Sequence, residues 1–282
     1  MTQLRIGTCR TLPEVDADEA PLAEALAAGG FDATLCAWDD PSVDWDAPVP
    51  TILRSTWNYA LDVAGFLAWI ERVSAVAPLW NPPDIVRGNV HKRYLLELAR
   101  RGVPVVPTVI AETAHDVAAI ARELSATRIV IKPEVGAGSL GTRVFDIATE
   151  RDAATAHLVG LTSRGLALVQ PYMHSVDGYG ERSLVWIDGA LSHEIRKTAR
   201  FAGDVERIDG PFPIADDERA VAEAALAPLV DRLLYARVDL ARDDKGQPMV
   251  MELELVEPSL FFARQPGSAA RYVAGLHRRL LG

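Results

Sequence analysis

Cysteine is nearly absent from this chain. Cys9 and Cys36 are the two thiols in 282 residues. Two are too few for a disulfide framework or a structural zinc site, and a reducing, cytoplasmic setting is expected. Long apolar runs are missing as well. No stretch reaches the roughly 18 residues that a membrane-spanning helix needs. Met1 to Thr8 lacks the basic and then apolar composition of a secretory leader. An excess of positive charge is also missing. Lys and Arg number 29 against 39 Asp and Glu, a net charge of −10. An acidic chain without a basic stripe is a poor candidate for nucleic acid. The six histidines show no H-x-x-x-H spacing, and there are no internal repeats or low-complexity linkers. What is present is 49% hydrophobic and 24% charged, an ordinary globular balance.

The acidity is uneven. Residues 1–50 carry ten acids and only two bases, Arg5 and Arg10. A polyanionic ligand would therefore be held by a few placed cations and not by a general field. The same segment reads as alternating strands and helices: strand Gln3–Thr8, helix Asp18–Ala28, strands Ala33–Ala37 and Thr51–Leu53. A helix from Val63 follows, with Asp62 at its N-cap. Asn89 is expected to cap a helix over Val90–Arg101, and Thr113 one reaching about Ser125. From Ala167 the texture turns to strands, with Asp188-Gly189 as a tight hairpin turn. A long helix is expected over Asp216–Leu234 and a last one from Gly267. The expected boundaries are 1–88, 89–165 and 166–282.

Gly136-Ala137-Gly138-Ser139-Leu140-Gly141 matches G-x-G-x-x-G. A dinucleotide site needs a helix after that loop, whereas Thr142-Arg143-Val144-Phe145 is strand-like, so the Rossmann reading fails. A protein kinase places its lysine downstream of the loop; here Lys132 lies upstream, and no H-R-D or D-F-G occurs. A glycine loop between two strands can still fold over phosphates, because bare N–H groups approach the oxygens without a Cβ clash. Lys132 ends the apolar strand Ile129-Val130-Ile131, where a lysine is costly to bury unless an anion meets it.

Carboxylates form a second signal. Glu252 and Glu254 are two apart on a strand, so they share a face. The turn Asp243 to Gly246 makes this strand antiparallel to the one carrying Asp239. Three carboxylates brought together repel one another unless cations intervene, and hard oxygen ligands suit Mg²⁺.

Taken in order, these elements resemble the ATP-grasp superfamily of glutathione-synthetase-like ligases. The matching pieces are Asn89-Val90-His91-Lys92, Val130-Ile131-Lys132-Pro133, the loop Gly136–Gly141 and Val169-Gln170-Pro171-Tyr172. Gly180-Glu181-Arg182-Ser183, Arg237-Val238-Asp239 and Met251-Glu252-Leu253-Glu254 complete the set, which covers about residues 89–260. The resemblance implies an α/β and α+β chain with a three-domain ATP-grasp architecture and ATP between two antiparallel sheets. Lys92 and Lys132 would contact the phosphates, under a loop that includes Gly136, Gly138, Ser139 and Gly141. Gln170, Pro171, Tyr172 and Met173 would border adenine, and Glu181 would face the ribose. Asp239, Glu252 and Glu254 would hold one or two Mg²⁺. The family often has Glu-x-Asn where this chain has Glu252-Leu253-Glu254. Lys197 and Arg207 fall where such ligases place cations for the transferred phosphate.

The implied reaction activates a carboxylate as an acyl phosphate, which an amine-type nucleophile then displaces. Arg54, Ser55 and Thr56, with Trp57, Asn58 and Tyr59 after them, follow a strand's C-terminal end, where open α/β sheets present ligands, and Arg54 could pair a carboxylate bidentately. Glu257 and Ser259 follow the carboxylate strand and could meet an amino group and a phosphate or carboxylate. The expected substrate is a small amino-acid derivative, with no membrane or nucleic-acid partner; a homodimer is compatible with the sequence. The pattern also resembles small ligases of antibiotic pathways, including the D-cycloserine synthetase type, which closes a ring within one substrate. No residue read here separates ring closure from joining two molecules. A nucleotide-binding regulatory module and a small-molecule kinase remain as alternatives.

Overall fold

In the computed structural model, which describes residues 1–282 except 114, 115, 137, 199–206 and 282, three sheets carry the chain. The first is parallel. It takes β1 (Thr2–Thr8), α1 (Glu19–Ala28), β2 (Phe31–Ala37), β3 (Thr51–Ser55), α2 (Val63–Val76) and β4 (Leu79–Trp80), in strand order β2-β1-β3-β4. Asp62 caps α2 by accepting the Gly65 N–H at 2.9 Å. Phe66, Trp69, Ile70 and Val73 of α2 are buried, as their helical spacing requires.

Two short helices follow, α3 (Pro83–Val90) and α4 (Tyr94–Arg100), where one helix capped by Asn89 was expected. The Asn89 side chain is spent elsewhere: it donates to Leu253 O and accepts from Leu255 N, both at 2.8 Å. The break leaves Lys92 in the bend between the two helices. Next come β5 (Val109–Ala111), α5 (Val117–Glu123), β6 (Arg128–Pro133), β7 (Arg143–Asp146), α6 (Arg151–Thr162) and β8 (Ala167–Pro171). Asp116, not Thr113, caps α5. Their strands form an antiparallel sheet of order β5-β8-β6-β7. Ile129, Ile131 and Val169 pack beneath it with Val117, Ile120 and Leu158 of the helices, so Val130, Lys132 and Gln170 face the other way.

The third sheet is antiparallel too. It is built from β9 (Glu181–Ile187), β10 (Ala190–Lys197), β11 (Ile208–Phe212), β12 (Tyr235–Arg242) and β13 (Pro248–Glu254), in order β11-β10-β9-β12-β13. Between β11 and β12 lies α7 (Asp216–Leu226), and α8 (Ser268–Leu281) closes the chain. Helix α7 is shorter than expected because Pro228 has no N–H to continue the hydrogen-bond ladder. Leu184, Trp186 and Leu240 join Ala222, Ala225 and Leu226 in one core. On the opposite face, Val185, Ile187, Ile195 and Tyr235 pack with Leu22, Leu26, Tyr272 and Leu276. That same face carries Glu181, Lys197, Arg237 and Asp239 further along, where the helices no longer cover it. No helix among the described residues is long and apolar enough to cross a membrane.

Candidate functional site

Where the two antiparallel sheets face one another, their charged ends enclose a cavity of about 670 Å³ that also reaches the first sheet. Of the chain's four lysines, Lys92, Lys132 and Lys197 line it, and only Lys245 lies elsewhere, in an exposed turn. The lysines in the cavity are 7–8% exposed, so they are held there despite the cost of desolvation. Lys92 Nζ donates to Gly136 O at 2.7 Å and meets Glu252 Oε1 at 2.8 Å. Burial opposes its charge, but Glu252, together with Glu254 and Glu257, outweighs burial and the pKa is raised. Lys132 has no hydrogen-bond or ion-pair partner among the described residues. Burial lowers its pKa, helped by neighbouring Lys92 and opposed by Glu252.

The carboxylates stand on the facing ladder. Asp239 pairs in register with Glu252, and Arg237 with Glu254. Arg237 grips Asp239 with two bonds of 2.9 Å and also meets Glu254. Ser183 Oγ donates to Asp239 at 2.6 Å and Lys197 Nζ at 2.9 Å. Lys197 also contacts Glu181. Against burial, Arg237 and Lys197 hold Asp239 well below the usual carboxylate range. At Glu252 burial is likewise outweighed by Lys92 and Lys132, which lower the pKa, whereas burial wins at Glu181 and Glu254, which are pushed up to about 7 despite Lys197 and Arg237 respectively. Glu257 is pushed up to about 8 by burial and by Glu254.

Asp239, Glu252 and Glu254 thus share a face of the third sheet. Among the described residues no three His, Cys, Asp or Glu side chains converge as a preformed metal site. Asp239 already receives four hydrogen bonds, one for each lone-pair direction of its two oxygens. Glu252 and Glu254 each keep one oxygen without a partner among the described residues. Those hard oxygens fit a divalent cation such as Mg²⁺.

The other expected residues divide. Gly136, Gly138, Ser139, Gln170, Pro171, Tyr172, Met173, Glu181, Glu257 and Ser259 line the cavity. Gly138 and Ser139 have φ of 59° and 61°, the left-handed conformation that favours glycine at the first of them. Gly141 does not line it; its carbonyl accepts from His157 Nε2 at 2.9 Å. Ala137 lies outside the described residues. Arg207 is also absent from the lining. Its side chain is 75% exposed and reaches Asp209 at 3.3 Å.

Arg54, Ser55 and Thr56 are not at the cavity either. Arg54 is buried, donating to Pro258 O at 2.9 Å and to Asp18 at 3.1 Å. Ser55 Oγ bonds Thr8 Oγ1 at 2.9 Å. Thr56 Oγ1 is buried without a partner among the described residues. The first sheet instead contributes Trp57, Asn58, Tyr59 and Asp39 to the lining. Asn58 donates to Asp39 at 2.8 Å and accepts from Trp38 Nε1 at 2.6 Å. Trp57, Asn58 and Tyr59 belong to the segment after the strand end from which a substrate role was expected, whereas no role was expected for Asp39 or Arg237. Two signals were available. Arg237 lies two positions before Asp239 on one strand, hence on its face, and lysine scarcity alone points to the cavity.

Residues 5–81 match the family model described as the N-terminal domain of D-cycloserine synthetase DcsG. The cycloserine biosynthesis protein DcsG of Streptomyces lavendulae is 38% identical over 286 residues, 94% of this chain and 95% of that protein. The crystal structure of D-cycloserine synthetase DcsG aligns with a TM-score of 0.89 at 36% identity, covering 99% of both chains. A RimK domain ATP-grasp protein from Sphaerobacter thermophilus has a TM-score of 0.72 at 19% identity, over 99% of this chain and 100% of that one, and shares the fold.

Proposed function

The chain belongs to the DcsG family of ATP-grasp ligases, and on that premise we propose that it closes a ring within one amino-acid-derived substrate, converting ATP to ADP and phosphate. The carrying observation is the convergence of Lys92, Lys132, Lys197 and Arg237 with Glu181, Glu252, Glu254 and Glu257 in one cavity between two antiparallel sheets. Before ligand binds, Lys92, Lys197 and Arg237 are paired with carboxylates, while Lys132 has no such partner among the described residues. ATP would offer the cations a polyanion in place of their carboxylates. The free oxygens of Glu252 and Glu254 would hold Mg²⁺, which would supply positive charge against the phosphates.

Adenine would lie along Gln170–Met173, over Val130 and Met251. Gly136, Gly138 and Ser139 would cover the phosphates, where Lys92 and Lys132 wait. The substrate carboxylate would attack the γ-phosphorus as the bond to ADP breaks, with Lys197 and Arg237 stabilising the transferred group. A side-chain nitrogen would then attack the acyl carbon, expel phosphate and lose a proton. D-cycloserine, named for the relatives, joins such a carbon to a nitrogen carried on a serine-type oxygen. The proposed substrate is therefore a D-serine derivative with nitrogen on its side-chain oxygen. Glu257 suits its ammonium group.

The test is ADP and phosphate release with Mg²⁺-ATP and that substrate, with mass spectrometry of the product. A cyclic product one water lighter supports ring closure. A stable phosphorylated substrate would make the protein a kinase, and ATP binding without ADP release would favour a binding module.

A further inference from the structure

Asp18 stands at the N-cap position of α1, where an aspartate ordinarily caps the helix. Its side chain makes no capping bond. It reaches instead to a segment more than two hundred residues away. Its two oxygens accept three successive backbone N–H groups, from Leu260 at 2.5 Å, Phe261 at 3.1 Å and Phe262 at 2.7 Å. Arg54 completes the arrangement. One arm of its guanidinium holds Asp18 and the other holds Pro258 O at 2.9 Å. Asp18 and Arg54 are each 1% exposed, so neither meets a ligand.

The segment they hold carries Glu257, Ser259 and Phe261, which all line the cavity. Phe261 has a φ of 51°, a left-handed conformation that a phenylalanine adopts only when its surroundings impose it. The three amides around it form a concave nest, of the kind that elsewhere takes an anion ligand, and here the chain's own carboxylate fills it. The proposed adenine end lies along β8 and the residues after it, on the second sheet, where neither Asp18 nor Arg54 has a hydrogen-bond or ion-pair partner among the described residues.

We propose that Asp18, held by Arg54, is a positioning residue that fixes residues 257–262 and so sets recognition of the linear substrate through Glu257, Ser259 and Phe261. The assignment of this end to the substrate rests on the function proposed above. The clamp itself does not.

The experiment is Asp18→Asn, which keeps the shape but turns one acceptor into a donor facing an N–H group. Amide hydrogen exchange at 260–262 is expected to quicken about tenfold or more. The substrate KM should rise about tenfold while kcat changes little, and the affinity for a non-hydrolysable ATP analogue should stay within about twofold. Unchanged exchange, or a parallel loss of nucleotide and substrate affinity, would overturn the proposal. The wild-type chain offers a second measurement, independent of whether the variant folds. The amides of Leu260 and Phe261 lie outside helices and strands, yet should exchange as slowly as those of β1; fast exchange would overturn the clamp. If the wild-type chain makes no cyclic product, the functional reading fails, and exchange alone decides the clamp.

Discussion

Two buried guanidinium–carboxylate pairs serve opposite ends. At the clamp, Arg54 and Asp18 direct their bonds to main-chain groups of the 258–262 segment, which cannot leave without the segment moving. In the cavity, Arg237 and Asp239 bond chiefly to other charged side chains, which a ligand can draw away. A charge tied to backbone holds shape. A charge balanced by another side chain facing open space is held in reserve. A third network lies behind the sheet, where Glu194 meets Arg182 at 3.1 Å and Glu194 and Glu218 each bury an oxygen lacking a partner among the described residues.

The largest effect should come from Arg54→Ala, which leaves Asp18 buried with less compensation and should cost about 3–5 kcal/mol in denaturant unfolding. Arg237→Ala should cost less, since Lys197 and Ser183 remain on Asp239. The reverse order would break the comparison. Next is Glu252→Gln, expected to cut turnover about 100-fold or more with the melting temperature nearly unchanged. A variant keeping a tenth of wild-type turnover would remove Glu252 from the reserve.

The third network predicts a pH dependence. Burial, with Glu218 alongside, pushes Glu194 up to about 7, against the pull of Arg182. The folded state therefore keeps a proton that the unfolded chain releases near pH 4.5. Stability from this group is fully present below that pH and is lost as pH rises through about 7. Glu194→Gln should flatten that decline in unfolding midpoints measured from pH 4.5 to 8; an unchanged slope would contradict it. The smallest effect should be Asp62→Ala, which removes an ordinary helix cap worth about 1 kcal/mol. Asp18→Ala should exceed it in the same unfolding assay, although both residues occupy N-cap positions.

Much of this was legible where a local rule decided the outcome. The alternation Ile129-Val130-Ile131-Lys132 placed Lys132 apart from the packed isoleucines, and two-residue spacing placed Glu252 beside Glu254 on one face. Distant partners were not legible. Arg54 follows a strand end in a position suited to a ligand, but Asp18 and Pro258 claim its guanidinium. Asn89 has the chemistry of a helix cap, but β13 uses both ends of its amide. Strand β11 escaped because Gly210 and Pro211 are poor strand residues, tolerated here on the sheet's edge.

The scarcity of lysine also has a use at the bench. Lys245 is exposed, whereas the other three lysines are buried around the cavity. Amine-directed dyes or surface supports that target lysine should therefore attach at this outlying turn and leave the reaction chamber clear, without engineering a handle into the chain.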